Sequence, residues 1–270
     1  MNSAEKLPII NPATGAIVGG HPVISSTEVA DRIEAAHSAF LDWRHAPFEK
    51  RADVLRSAAD QLMRGRDGYA ARITSEMGKP ITQAAAEIEK CAWVCRHYAE
   101  EGERLLQEEK IVIETGEARV VPCPLGVIYA IMPWNFPFWQ AFRAAAPTLM
   151  AGNAMVLKGA PNVPGCSADV ADIFMKAGAP AGLFSDLPMH LSASPAVIAH
   201  PFVRGVTLTG SERAGREVAA EAGRHLKKCV LELGGSDPYL ILEDADLQLA
   251  ADRCATSRML CSGQVCIAAK

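Results

Sequence analysis

The sequence is poor in the features that mark membrane, secreted and nucleic-acid-binding proteins. No uninterrupted apolar run approaches the roughly 18 residues of a membrane helix, and the opening stretch MNSAEKLPIINPATG lacks the basic flank and apolar core of a signal peptide. The net charge of -4 gives no basic surface for nucleic acid or an anionic membrane. With 49% hydrophobic residues, the chain is expected to be a compact cytoplasmic protein.

Cysteine is present, but not in a disulfide pattern. The 8 cysteines are scattered rather than regularly spaced, which is typical of reduced intracellular thiols. Cys91 and Cys95 have the spacing of half a metal site, but no second Cys or His pair stands nearby at ligand spacing. They share an apolar helix face with Ile88, so we expect them in the core and predict no metal.

Helical periodicity dominates the first hundred or so residues. Ser25 and Glu28 have the spacing of a capping box, which predicts that a helix begins near Ser26. Further helices are predicted at about 48–65 and 80–107.

Strand-like runs follow this helical region. The stretch KIVIETGEARVVPCPLG predicts a β-hairpin around Thr115-Gly116. Beyond Gly126, the runs GVIYAIM, AMVLK, GVTLT and CVLEL alternate with helical segments, and PYLILEDADLQLAA repeats strand then helix. This alternation predicts an α/β fold with a Rossmann-like parallel sheet, and ligands are expected at the carboxyl ends of its strands. The helices between these strands are predicted to begin near Phe138, Pro164 and Glu212.

Polar residues and glycines follow the predicted strands. Asn135 lies in PWNFP after the first strand, where the alternative is a rigid turn, and Lys158 ends the second, where the alternative is a solvated surface lysine. Gly210 and Ser211 stand at a predicted helix start, where free backbone amides favour a phosphate. This pair matches neither a G-x-G-x-x-G motif nor a Walker loop, so alone it is a weak signal.

Two further residues have reactive side chains. Glu232 lies in the apolar run CVLEL, where a carboxylate is costly unless it is paired or functional, and where burial would raise its pKa towards that of a general base. Cys266 stands in the stretch CSGQVC. A thiol, a carboxylate base and an amide donor such as Asn135 suit acyl chemistry, in which a thiolate adds to a carbonyl and donors stabilise the oxyanion.

Several stretches together resemble one enzyme family. PWNFP, AGNAMVLK, TLTGS, LELGGSDP and SGQVC occur in the order and at the separations of the aldehyde dehydrogenase superfamily, and NPATG and EMGKPITQA extend the resemblance to the whole chain. KKCVLELGGSDP and KGAPNVPG are most similar to the bacterial NAD(P)-dependent succinate-semialdehyde dehydrogenases. The resemblance implies oxidation of an aldehyde, with succinate semialdehyde expected, to the carboxylic acid.

The resemblance also implies a domain organisation. Residues 1–109 and 125–233 correspond to the coenzyme-binding domain, 110–124 to an oligomerisation hairpin, and 234–270 to the beginning of the catalytic domain. Family members are homo-oligomers that continue well beyond the nucleophile, and those later segments have no counterpart in this sequence. We therefore expect the N-terminal part of the family fold, and whether this part turns over alone is open.

Three residues match the catalytic residues of the family. Cys266 matches the nucleophile, whose thiolate attacks the aldehyde carbon to give a thiohemiacetal and, after hydride transfer, a thioester. Asn135 matches the amide that stabilises the oxyanion together with the backbone N–H of Cys266. Glu232 matches the general base that activates water for thioester hydrolysis. Cys261 has no such role in the family and is expected to be structural.

The coenzyme implied by the resemblance is NAD or NADP. Lys158 matches the lysine that bonds the adenosine ribose hydroxyls, and Ser211 matches the serine on the pyrophosphate, with Gly210 allowing close backbone approach. Pro161 stands where NAD-specific relatives often have a glutamate, so no carboxylate there repels a 2′-phosphate. Three more residues carried over to the coenzyme pocket are Trp134, Met132 and Leu233.

Arg143 is the residue from which the substrate class is inferred. In the semialdehyde-oxidising branch, an arginine at this place faces the substrate, and a guanidinium suits the distal carboxylate of succinate semialdehyde. Phe138, Trp139 and Phe142 give it apolar neighbours in the sequence, and the alternative is an ordinary surface arginine.

Two other functions stay open at this point. One is a non-catalytic coenzyme-binding module that has lost turnover. The other is a thiol esterase that works through Cys266 and Glu232 without coenzyme, which would leave Lys158 and Ser211 without a role.

Overall fold

Helices make up most of the first half of the chain. The computed structural model describes residues 5–270, so residues 1–4 of the predicted coenzyme domain lie outside the described part. The capping box is confirmed, because Ser25 Oγ accepts from the Glu28 amide at 3.2 Å and the Glu28 carboxylate accepts from the Ser25 amide at 2.8 Å. The helices are α1 (Ser26–Trp43), α2 (Phe48–Arg64), α3 (Arg66–Met77), α4 (Ile81–Leu105), α5 (Pro137–Met150), α6 (Pro164–Lys176), α7 (Ser194–Ala199), α8 (Glu212–Arg224) and α9 (Leu247–Met259).

A parallel sheet organises the second half. Its five strands lie in the order β7-β6-β5-β8-β9, and all neighbouring strands are parallel. Four other strands form two separate antiparallel hairpins, β1 with β2 and β3 with β4. The strands are β1 (Lys6–Ile10), β2 (Ile17–Pro22), β3 (Glu109–Ile113), β4 (Gly116–Val120), β5 (Val127–Ile131), β6 (Ala154–Lys158), β7 (Phe184–Asp186), β8 (Val203–Thr209) and β9 (Lys228–Glu232).

The core lies where the helices cover the central strands. Every residue of β6 is buried, as expected for a parallel strand that is covered on both faces. Phe142 of α5 stacks on Phe174 of α6 with ring centroids 5.0 Å apart. Trp43 of α1 is 2% exposed and donates from Nε1 to the Leu149 carbonyl of α5 at 2.8 Å. These contacts fix α5, and with it the turn after β5.

Most predicted elements are confirmed. The helices predicted at 48–65 and 80–107 correspond to α2 and α4, the hairpin forms at Thr115-Gly116, and the alternating runs give β5, β6, β8 and β9. Cys91 and Cys95 are both fully buried in α4, as expected for core residues. Four features were not predicted, namely α3, α7, β7 and the β1–β2 hairpin. β7 spans 3 residues and β2 contains two glycines, so neither has a clear periodic pattern.

The predicted strand PYLIL is wrong. In the described part of the chain, residues 238–242 pair with no strand, and Leu240 and Leu242 are 80% and 69% exposed. A strand needs a neighbouring strand to accept its ladder of hydrogen bonds. Here the Tyr239 amide donates to the Lys270 carbonyl instead, at 2.8 Å. The helix predicted after this stretch is present as α9.

Residues 5–270 contain neither a candidate membrane helix nor a cluster of metal-ligating side chains. None of the helices in this range combines the length and apolar character needed to cross a membrane. Within the same range, no three or more His, Cys, Asp or Glu side chains gather closely enough to hold a metal ion.

The packing of α5 on α6 yields a stability prediction. Phe142→Ala removes a fully buried ring and is expected to lower the free energy of unfolding by about 3–5 kcal/mol. Val112→Ala, in the β3–β4 hairpin at 91% exposure, is the control and should change it by less than about 0.5 kcal/mol. Urea unfolding followed by circular dichroism measures both. Equal effects of the two substitutions would contradict the core assigned here.

Candidate active site

One cleft gathers most of the predicted site residues. It has a volume of about 440 Å³ and lies at the carboxyl ends of β5, β8 and β9. Such an edge is where parallel sheets of this type bind ligands. The thiol of Cys266 is exposed there and open to a reactant. The predicted residues that line the cleft are Trp134, Asn135, Gly210, Ser211, Leu233 and Cys266.

Asn135 connects the turn after β5 to the segment that carries Cys266. Its Nδ2 donates to the Gln264 carbonyl at 2.8 Å, two residues before the thiol. Cys261, expected to be structural, is 1% exposed, and its Sγ donates to the Asn135 carbonyl at 3.5 Å. The Asn135 side chain and the exposed Cys266 therefore line the same cleft.

The turn after β8 begins helix α8 in the way the sequence predicts. Ser211 is the N-cap, and its Oγ accepts from the Ala214 amide at 3.3 Å. The Gly210 amide donates to the Glu232 carbonyl at 2.9 Å, which joins this turn to β9. The start of α8 therefore presents backbone amides and the positive end of a helix dipole at the cleft, which suits a phosphate.

Lys158 is a buried lysine, so its alternative reading as a solvated surface residue is wrong. It is 5% exposed at the end of β6, beside Asp186 at the end of β7. Burial lowers the pKa of Lys158, and the Asp186 carboxylate opposes that shift. Burial raises the pKa of Asp186 to about 7, and Oδ1 of this residue has no hydrogen-bond partner among the described residues. At the ends of β6 and β7 in the described part of the chain, Asp186 Oδ1 is therefore free to accept a further hydrogen bond.

Four predicted residues do not line the cleft, namely Lys158, Arg143, Met132 and Glu232. Arg143 and Met132 line a neighbouring groove of about 400 Å³ between α5 and the β8–β9 edge. Arg143 pairs there with Glu232, with Nη2 3.1 Å from Oε1. The expected burial of Glu232 is wrong, because its side chain is 51% exposed on the edge strand β9. Phe138 and Phe142, the apolar neighbours of Arg143 in the sequence, are buried in the core.

Two buried carboxylates beneath the site were missed. Glu87 of α4 accepts from the amides of Phe138 and Trp139 at the start of α5, both at 3.0 Å. Glu76 of α3 accepts in the same way from two amides at the start of α6, at 3.1 and 3.3 Å. The available signal was a charged residue on an apolar helix face, since Glu87 falls beside Ile88 on the buried side of α4.

Gln140 was also missed. It is 6% exposed and lines the cleft, and its Oε1 has no hydrogen-bond partner within residues 5–270. Nothing in its sequence context separates it from an ordinary helical glutamine, because only the fold brings it to the cleft.

Comparison with known proteins identifies the sequence family. A profile described as the aldehyde dehydrogenase family matches residues 1–270. A probable NADP(+) succinate-semialdehyde dehydrogenase of Synechocystis sp. is 49% identical over 261 residues, which cover 97% of this chain and 58% of that protein. An NAD(P)+ succinate semialdehyde dehydrogenase of Escherichia coli K12 is 44% identical, and the match covers 97% of this chain and 56% of the relative.

Solved structures agree with the sequence matches. A succinic semialdehyde dehydrogenase of Streptococcus pyogenes, in complex with NADP+, superposes with a TM-score of 0.94 at 37% identity and covers 97% of this chain and 58% of its own. The solved structure of Gox0499 superposes with a TM-score of 0.96 at 40% identity. The chain thus spans somewhat more than half the length of the relatives it matches.

Asp186 yields a prediction on pH dependence. The folded pKa of about 7 lies above the ordinary aspartate value of 3.8, so the folded chain holds a proton that the unfolded chain has lost. The free energy of unfolding should therefore fall as pH rises from about 4 to about 7, by up to about 1.4 kcal/mol per pH unit. Asp186→Asn should remove this dependence, and Asp31→Asn, at an exposed position of α1, should leave it unchanged.

Urea unfolding at several pH values measures the effect as the difference between the unchanged chain and each variant. Parallel pH profiles for the unchanged chain and Asp186→Asn would show that Asp186 titrates normally.

Proposed function

The chain belongs to the aldehyde dehydrogenase family, and from this we propose that it is the coenzyme-binding and nucleophile-bearing part of an NAD(P)-dependent succinate-semialdehyde dehydrogenase. The observation that carries the proposal is the single cleft in which Cys266, Asn135 and Ser211 meet. A thiol, an amide donor and a helix start with phosphate-binding character are the parts that such a reaction needs. The substrate is inferred from the relatives named above, which are succinate-semialdehyde dehydrogenases.

Cys266 is the proposed nucleophile. Its thiolate adds to the aldehyde carbon, and the second N–H of the Asn135 amide, with the backbone N–H of Cys266, donates to the oxyanion. Such a donor contributes about 3–4 kcal/mol to the transition state in comparable sites. A bound NAD(P)+ would supply the hydride acceptor, and oxidation of the thiohemiacetal would leave a thioester on Cys266.

Glu232 is the proposed base for the hydrolysis of that thioester. It removes a proton from the attacking water, and the carboxylic acid leaves from sulfur. In the free chain Glu232 pairs with Arg143, and both side chains are partly exposed. A pair of this kind contributes little, about 0–1 kcal/mol. The distal carboxylate of succinate semialdehyde therefore replaces Glu232 on Arg143 at small cost and frees the base.

The described residues fit NAD or NADP as the coenzyme. Ser211 and Gly210 stand at the α8 start for the pyrophosphate, and the buried Lys158 has donors for the ribose hydroxyls. Pro161 leaves no carboxylate at that position to repel a 2′-phosphate. The proposal extends to Trp134 and Leu233 as cleft walls and to the β3–β4 hairpin as an oligomerisation arm of a homo-oligomer.

Reduced-coenzyme formation tests this function. The purified chain is mixed with succinate semialdehyde and NAD or NADP, and the absorbance of the reduced nicotinamide is followed. Cys266→Ala should lower turnover by at least about a thousandfold, because the covalent intermediate cannot form. Cys254→Ala, a partly exposed cysteine outside the cleft, is the control and should retain turnover.

Turnover that survives Cys266→Ala would contradict the covalent mechanism. A folded chain that binds coenzyme without turnover would favour the non-catalytic module. Ester hydrolysis that needs Cys266 but ignores coenzyme would favour the thiol esterase.

Arg143 yields a prediction that does not depend on turnover. The proposed function requires a substrate that binds Arg143 through its distal carboxylate while its other end lies at Cys266, so succinate is expected to slow alkylation of Cys266 by iodoacetamide about tenfold. Arg143→Gln should lose this protection, and butyramide, which has no carboxylate, should protect neither chain. Mass spectrometry of the Cys266 peptide gives the rates. Equal protection of both chains by succinate would show that Arg143 does not bind the substrate carboxylate.

A further inference from the structure

A buried ion pair lies beneath the turn that carries Asn135. Lys79, in the turn between α3 and α4, pairs through Nζ with the Glu87 carboxylate, and the two side chains are 0% and 1% exposed. Removing two charges from water is costly, so a pair of this kind persists only where further hydrogen bonds satisfy it. The other groups that Lys79 and Glu87 contact show which parts of the chain the pair holds in place.

Glu87 holds the start of α5. Its Oε1 accepts from the amides of Phe138 and Trp139, both at 3.0 Å. Across the described residues, the α5 N-cap Phe136 makes no side-chain capping hydrogen bond, so this carboxylate replaces a cap. A negative charge at a helix N-terminus is also favoured by the helix dipole. Because α5 begins at Pro137, two residues after Asn135, this contact fixes the position of the turn that carries Asn135.

Lys79 and its neighbours hold the same turn from the other side. The ammonium lies 3.5 Å from the ring centroid of Phe136, the residue next to Asn135. Burial raises the pKa of the Cys261 thiol, and the nearby Lys79 ammonium opposes that rise. Gln83 accepts from the Cys261 amide at 2.7 Å. One buried cluster therefore contacts both the Asn135 turn and the segment that leads to Cys266.

The Cys261 segment needs such a restraint. Cys261 and Ser262 have φ values of 51° and 55°, in the left-handed region that side-chain-bearing residues rarely adopt. Conformations of this kind cost about 1–3 kcal/mol each and persist where surrounding contacts hold them. Two hydrogen bonds hold the segment here, one from the Cys261 amide to Gln83 and one from the Cys261 thiol to the Asn135 carbonyl.

We propose that Lys79 and Glu87 are positioning residues that hold Asn135 and the Cys266 segment in register with each other. The catalytic assignment of Asn135 and Cys266 rests on the proposed function, but the mechanical coupling of the two segments does not. If the buried pair is broken, both segments should loosen together while the rest of the fold stays closed.

Hydrogen exchange followed by mass spectrometry tests the coupling in the full chain without substrate or coenzyme. Glu87→Gln keeps the shape and one acceptor oxygen but loses the charge. It should speed exchange about tenfold in peptides covering both 133–139 and 260–266, and leave the α2 core unchanged. Lys79→Met should act on the same two segments, and Lys79→Arg, which keeps the charge, should restore protection.

Glu76→Gln is the matched control. Glu76 caps α6 as Glu87 caps α5, and its side chain is 2% exposed, so both substitutions weaken a buried carboxylate cap. A purely structural role for Glu87 would make the two variants alike. The proposal requires that Glu76→Gln leave residues 133–139 and 260–266 protected.

Three results would overturn the proposal. These are unchanged exchange of both segments in Glu87→Gln, faster exchange of one segment without the other, and equal loosening of both by Glu76→Gln. Because the hydrogen-exchange assay contains neither substrate nor coenzyme, a failed turnover experiment does not change how its result is interpreted. Conversely, a failed exchange result leaves coenzyme binding at Lys158 and Ser211 untouched.

Discussion

The turns after the two central strands β5 and β6 depend on two buried carboxylates. Glu87 and Glu76 each accept two backbone amides at the start of the helix that follows a central strand, α5 after β5 and α6 after β6. A helix start buried without such partners would leave amides unsatisfied, at a cost of about 1–3 kcal/mol each. The turns between these strands and helices carry Asn135 and the residues after Lys158, so the caps decide where those side chains stand.

These caps also bear on where the proposed coenzyme phosphate would be bound. The N-termini of α5 and α6 already hold carboxylates, and a phosphate placed there would meet a buried negative charge. The α8 start is capped by the neutral Ser211, whose Oγ takes a single amide. The electrostatic preference for a phosphate therefore falls on the turn after β8. Gly210 and Ser211 are a weak motif in the sequence, and it is the fold that makes them a candidate phosphate site.

The sequence predicted the elements whose pattern is local. The Ser25 capping box, the apolar face of α4 and the separate strands β5, β6, β8 and β9 each lie within one short segment. It did not predict features that depend on distant neighbours. The run at 238–242 has the composition of a strand but finds no partner strand in the described part of the chain, and Glu232 sits in an apolar run yet lies exposed on an edge strand.

The candidate site follows the same division. Cys266, Asn135 and Ser211 could be named from short motifs, because each stands just after a predicted strand or in a recognisable stretch. Gln140 and Glu87 could not be named, since their positions follow from the packing of α4 against α5. A charged residue on an apolar helix face indicates a buried contact, but only the tertiary structure shows which backbone amides it reaches.

Two ion pairs near the site, one buried and one partly exposed, are suited to different roles. The Lys79–Glu87 pair is fully buried, and breaking such a pair costs about 3–5 kcal/mol because a charge is left without a partner. The Arg143–Glu232 pair is 39% and 51% exposed, where water compensates either charge when the pair opens. The first pair is therefore suited to hold a fixed geometry, and the second to exchange partners. In the proposed reaction the substrate carboxylate must compete with Glu232 for Arg143, and this competition is possible because the exposed pair is weak.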